Sequence, residues 1–166
     1  MEFCDEMMLF KKRLEISRCV DLGDVASLMK VLGVSLLEWR NLKEDMADGF
    51  DCIAWVFKNS PTTRNQWVLC RRSGALPEAF LSVEVPEHGD IVEYQIWKNG
   101  SLTPTHIGIF DESHHQVESK WGDAGHVFLH DLWAVPAEYG ERVNFYRHVP
   151  PHPNRRIGNL GLIGQY

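Results

Sequence analysis

Apolar positions in the first third of the chain recur at helical spacing. Met7, Phe10 and Leu14 stand at i, i+3 and i+7, one stripe of a helix. After Asp21, the residues Leu22, Val25, Ala26, Met29 and Leu32 form the apolar face of a second helix, with Gly33 at its C-terminal stop. A third start is marked by Ser35 and Glu38, an S-x-x-E capping box, with Val34 and Trp39 placed as a hydrophobic staple. Leu36, Trp39, Leu42 and Met46 would then face inwards. The expectation is an N-terminal helical segment of three short helices over residues 1–48. The segment is either a separate small module or a layer on the rest of the chain, and Gly49, too brief a break for a flexible linker, favours the layer.

From Phe50 to Phe57 the chain is apolar on nearly every side, the pattern of a buried element, and Asn59-Ser60-Pro61 ends it. Asp51 suits an N-cap, which sets Cys52 in the first turn. Residues 62–88 give mixed signals. Trp67 to Cys70 reads as a short strand, and Leu76 to Val85 combines helical and strand features. Beyond Gly89 the period becomes two. Ile91 to Trp97 and Thr103 to Phe110 flank Asn99-Gly100, a hairpin signal. Further strands are expected near Gln116–Trp121, His126–Leu129 and Arg142–Arg147. Helices followed by an antiparallel meander indicate an α+β fold, with a core over residues 49–149 and a proline- and glycine-bearing tail over 150–166.

Composition narrows the function classes. The 166 residues are 44% hydrophobic and 24% charged, ordinary for a globular chain. The net charge of −6 comes without a basic stripe, so no nucleic-acid partner is expected. No apolar run reaches the roughly 20 residues of a membrane span, so no membrane partner is expected either. The acidic opening Met1-Glu2-Phe3-Cys4-Asp5-Glu6 lacks the pattern of an export signal. The expectation is a cytoplasmic protein, or one delivered by a dedicated secretion system. Cys4, Cys19, Cys52 and Cys70 contain no CxxC pair, which favours free thiols over a zinc site, and no cofactor is expected.

Cys52 occupies a chemically loaded position. A helix N-terminus, with roughly half a positive charge and unpaired N–H groups, favours a thiolate and can hold an oxyanion. Free cysteine is also among the commonest buried residues, and that ordinary reading weighs against it. In Thr105-His106-Ile107-Gly108-Ile109-Phe110, alternation sends Ile107 and Ile109 one way and His106, Gly108 and Phe110 the other. A histidine beside a glycine suits a general base. In Gln116-Val117-Glu118-Ser119-Lys120-Trp121, Val117 and Trp121 look core-facing like the two isoleucines. Gln116, Glu118 and Lys120 would then share the side of His106, where Glu118 could orient the imidazole. A one-residue register slip would put Ser119 there instead. His126 and His130 have H-x-x-x-H spacing but flank a strand-like Val127-Phe128-Leu129, so packing roles are expected for them.

In this order, Asp51-Cys52, Gly89-Asp90-Ile91-Val92-Glu93-Tyr94 and His106-Ile107-Gly108-Ile109-Phe110 resemble the papain-fold NlpC-type and CHAP-type cysteine hydrolases. The resemblance spans residues 50 to 147. Asp51-Cys52-Ile53-Ala54-Trp55, Thr105-His106, Ser119-Lys120-Trp121-Gly122 and Tyr139-Gly140 further resemble a family of bacterial proteins without an established activity. The resemblance implies a papain-like core with a buried nucleophile helix packed on an antiparallel sheet. It also implies Cys52 as nucleophile, His106 as base and Glu118, 12 positions after His106, as orienting residue. Ile53-Ala54 stands where NlpC-type enzymes show Ser-Gly, and no oxyanion-completing residue can be matched. The expected function is a cysteine-dependent amide-bond hydrolase acting on a peptide or protein, with a bacterial effector or toxin as one setting. A catalytically inactive scaffold for protein interaction is the alternative. Either way the N-terminal helices are a candidate partner-binding part.

Overall fold

The structure is a computed structural model that describes residues 3–30, 33–38, 51–121 and 125–149. Helix α1 runs Phe3–Asp21 and α2 runs Val25–Lys30, joined through Gly23 at φ +65. Strand β1 (Ser35–Glu38) follows, then α3 (Cys52–Val56), α4 (Pro61–Arg72) and β2 (Phe80–Val83). The meander comprises β3 (Ile91–Lys98), β4 (Ser101–Asp111), β5 (Gln116–Lys120) and β6 (Val127–His130). A 3-10 turn at Ala137–Tyr139 leads to β7 (Arg142–His148). The seven strands form one antiparallel sheet in the order β1-β6-β5-β4-β3-β7-β2. The architecture is mixed helix and sheet.

Two apolar layers cover the sheet. On one side Ile16, Cys19 and Leu28 from α1 and α2 pack with Val92, Tyr94, Phe110, Val117, Trp121 and Phe128. On the other, Phe57, Trp67 and the partly buried Cys52, Ile53 and Val56 pack with Phe80, Ile91, Ile107 and Tyr146. Because helices cover both faces, the strands bury side chains of both parities, and simple alternation loses its meaning. Asn99 (φ 53) and Gly100 (φ 78) turn the β3–β4 hairpin with both central residues left-handed, as the Asn-Gly signal demands.

Several elements depart from the sequence reading. Ser35–Glu38 is a strand, not a capping box: it pairs with β6 through Ser35↔Leu129 and Leu36↔Phe128. Pairing with an existing edge strand satisfies backbone groups that a helix start would leave open. The rest of that expected helix, residues 39–48, and the tail 150–166 lie outside the described residues. Trp67 to Cys70 belongs to α4, begun by Pro61 at its first position, with Trp67 buried beneath it. In α1 the buried side holds Arg13, Ile16 and Cys19, whereas Met7, Phe10 and Leu14 face outwards, Phe10 at 57% exposure. In α2 Leu28 is buried and Met29 exposed, which rotates the helix from its expected face while Val25 still packs against the core; Leu32 lies outside the described residues.

Candidate active site

Cys52 opens α3. The Asp51 carboxylate accepts the Ala54 N–H at 2.7 Å, the N-cap expected from the sequence. At five residues α3 is little more than one turn, so the aligned-dipole effect of a long helix contributes little here. The sulfur instead lies near the backbone N–H groups of Ile107 and Ile53, which favour its thiolate form. Burial pushes the thiol up to about 11, against the Ile107 N–H; Asp51 adds to the rise, while the Ile53 N–H and the Lys120 charge oppose it. The resting group is therefore a neutral thiol.

The docking place of that sulfur is set by strand pairing. β4 and β5 are paired at Asp111↔Gln116, Phe110↔Val117 and Ile109↔Glu118, and no further. α3 contacts both strands, and Cys52 packs on the apolar layer that holds Ile107. Gly108 stands at the crotch. A Cβ there would lie 2.7 Å from the Glu118 carbonyl oxygen and from Val117 Cγ1, so only glycine allows β5 this close.

His106 is the residue before Ile107 and is 3% exposed. Its ring stacks on Tyr139, with centroids 3.9 Å apart and planes 16° apart, and Tyr94 lies 5.7 Å away. Its Nε2 is buried with no hydrogen-bond partner. Burial, then the neighbouring His130 and Lys120 charges, hold the imidazole well below its ordinary range, so it rests neutral. In this structure no hydrogen bond joins His106 Nε2 to Cys52 or to Glu118.

The expected placement of Glu118 is corrected by the register. Glu118 pairs with Ile109, and Val117 with Phe110, so Glu118 shares the side of Ile107 and Ile109. Ser119, one position on, takes the parity of His106. Both sides of β5 are covered, so the apolar pattern around Glu118 could not reveal its side. Ser119 is fully buried and bonded: Trp121 Nε1–H donates to its Oγ at 2.9 Å, and Ser119 Oγ lies 2.8 Å from His130 Nε2. His130 Nδ1–H reaches the Asp131 carbonyl at 2.9 Å, which leaves Nε2 as the acceptor of the Ser119 hydroxyl. His130 thus serves the interior, and among the described residues no three His, Cys, Asp or Glu side chains gather as a metal site.

Sequence reasoning missed the support around Tyr139. The register shift between Tyr94 and Gln95 makes Thr105 an extra residue in β4, and its hydroxyl reaches the Tyr139 carbonyl at 2.5 Å and the Tyr94 carbonyl at 3.1 Å. Gly140 has φ +101, and a Cβ there would fall 2.0 Å from the Gln95 carbonyl oxygen. That explains glycine in Tyr139-Gly140: the loop could not otherwise close on β3. From α1, the buried Arg13 donates to the carbonyls of Gly140 at 2.6 Å, Pro136 at 3.1 Å and Val135 at 3.4 Å. The Ala137 N–H donates to Ser17 Oγ at 2.8 Å. The N-terminal helix therefore grips the segment whose tyrosine covers His106. The Thr-His and Tyr-Gly pairs were visible as motifs; their meeting was not.

Compared with known proteins, the chain matches no family model, no curated protein and no solved structure.

Proposed function

We propose that the protein is a cysteine-dependent amide-bond hydrolase with a papain-like core, Cys52 being the nucleophile and His106 the base. The observation that carries the reading is the buried His106 Nε2 without a hydrogen-bond partner, one residue from Ile107, whose apolar layer Cys52 joins at the start of α3. A buried unpaired polar atom costs about 1–3 kcal/mol, so its persistence calls for a use. Thiol and imidazole both rest neutral, which suits proton transfer during attack rather than a standing ion pair. The Cys52 thiol gives its proton to His106 as sulfur adds to the carbonyl carbon. The imidazolium returns that proton to the leaving amine as the C–N bond breaks. Water, deprotonated by the same imidazole, then releases the acid from the thioester. In this reading the hydrogen bond between thiol and imidazole forms only once substrate is bound.

The high thiol value and the missing Cys52–His106 bond favour a second reading, an inactive frame that binds another protein. One experiment separates the two: alkylation of each cysteine by iodoacetamide across about pH 5 to 9, read by peptide mass spectrometry, for wild type and His106→Ala. Faster labelling of Cys52 in wild type than in His106→Ala supports the hydrolase. Labelling of Cys52 no faster than Cys70 and indifferent to His106→Ala supports the frame.

A further inference from the structure

We infer that Tyr139 is the positioning residue of His106, its ring taking the part that the resemblance assigned to a carboxylate; this deepens the proposed hydrolase and rests on it. In the usual arrangement an acceptor on the far imidazole nitrogen fixes the ring and favours its protonated form. Here no acceptor reaches His106 Nε2, and Glu118 lies on the other side of β5 by register. The group in closest ring contact with His106 is Tyr139, stacked at 3.9 Å and 16°. The face of a tyrosine is negative in its quadrupole and attracts a cation within about 6 Å. Its contact therefore strengthens when His106 takes the thiol proton, and it holds the ring plane before that step. Burial, His130 and Lys120 all oppose that charge.

The placement of Tyr139 is specified independently of His106. Thr105, adjacent to His106, bonds the Tyr139 carbonyl; Gly140 permits the close approach to β3; Arg13 binds the Gly140 carbonyl from α1. Three elements distant in sequence converge to set one ring over the imidazole. Mere core filling by a tyrosine would not require a parallel stack, since aromatic pairs pack readily in tilted or edge arrangements, as Tyr94 does against Tyr139 at 50°.

The experiment compares Tyr139→Phe and Tyr139→Leu with wild type, each checked for folding by circular dichroism and thermal melting. Two quantities are read: the rate of Cys52 alkylation by iodoacetamide near pH 7, and the His106 imidazole resonances and their titration by nuclear magnetic resonance. The stack predicts that Tyr139→Phe keeps the alkylation rate within about twofold and keeps the upfield ring-current shift of His106. Tyr139→Leu should lose that shift, lower the His106 titration further and slow Cys52 alkylation by roughly three- to tenfold. The inference is overturned if Tyr139→Leu leaves both quantities at wild-type values, or if Tyr139→Phe is as impaired as Tyr139→Leu. Indifference of wild-type Cys52 to His106→Ala would instead defeat the hydrolase reading, while the resonances still judge the stack.

Discussion

Mild acid should destabilise this protein well before its carboxylates protonate, because neutral imidazoles are built into both the sheet and the candidate site. His130 is the clearest case. It is fully enclosed, accepts the Ser119 hydroxyl and donates to the Asp131 carbonyl. Burial, partly offset by the Asp131 carbonyl and charge, lowers it from 6.5 to about 4. The unfolded chain therefore takes up the proton first. Stability is complete above about 6.5 and is lost as pH falls towards about 4. Near pH 5 the unfolded imidazole is almost wholly protonated and the folded one scarcely, a difference of about 2 kcal/mol from His130 alone. His106, also held low by burial, adds a loss of the same sign. The assay is urea unfolding at about pH 7.5 and about pH 5, for wild type and His130→Gln. The variant, unable to titrate there, should lose about 2 kcal/mol less between the two conditions. An equal loss in both proteins, or a His130 resonance titrating at its ordinary value in the folded state, would refute the reasoning.

Two substitutions probe the frame that positions the site. Gly108→Ala forces a Cβ onto the Glu118 carbonyl oxygen and Val117 Cγ1, so it should cost about 2 kcal/mol in thermal or urea unfolding. Arg71→Met strands Glu93, which is 0% exposed and takes both guanidinium bonds at 2.7 and 2.8 Å, plus Gln95 Nε2 at 2.8 Å. The same unfolding assay should show a loss of about 3 kcal/mol, most of it recovered when Glu93→Leu is added so that no charge is left buried. No recovery in the double variant would mean that the carboxylate is not the source of the cost.

What could be read from sequence was local and what could not was long-range. Asp51 as a cap, the Asn99-Gly100 turn and the alternating strands around it depend on near neighbours, and each stands where expected. Ser35–Glu38 carries a genuine capping signature, yet pairing with β6 won, since edge-strand hydrogen bonds from residues about ninety positions away are invisible in a four-residue motif. Met7, Phe10 and Leu14 keep helical spacing while facing outwards, because Arg13, Ile16 and Cys19 supply the side that α1 buries. Glu118 was misplaced for the reason that makes this sheet a good core: with cover on both faces, hydrophobic parity does not tell which side is which. Cys52 and His106 could be named as candidates, whereas the contribution of Tyr139 depends on Thr105, Gly140 and Arg13 meeting in space.

The most direct test of Cys52 as a nucleophile served by His106 is transfer of an acyl group to its sulfur. Wild type, Cys52→Ala and His106→Ala would be incubated with p-nitrophenyl acetate at neutral pH, quenched in acid and mapped by peptide mass spectrometry. The expected result is a thioester on Cys52 in wild type, none at that position in Cys52→Ala, and much slower formation in His106→Ala, with Cys19 and Cys70 unmodified. Acetylation of Cys52 at the same rate without His106, or none at Cys52 in the folded wild-type protein, would contradict it.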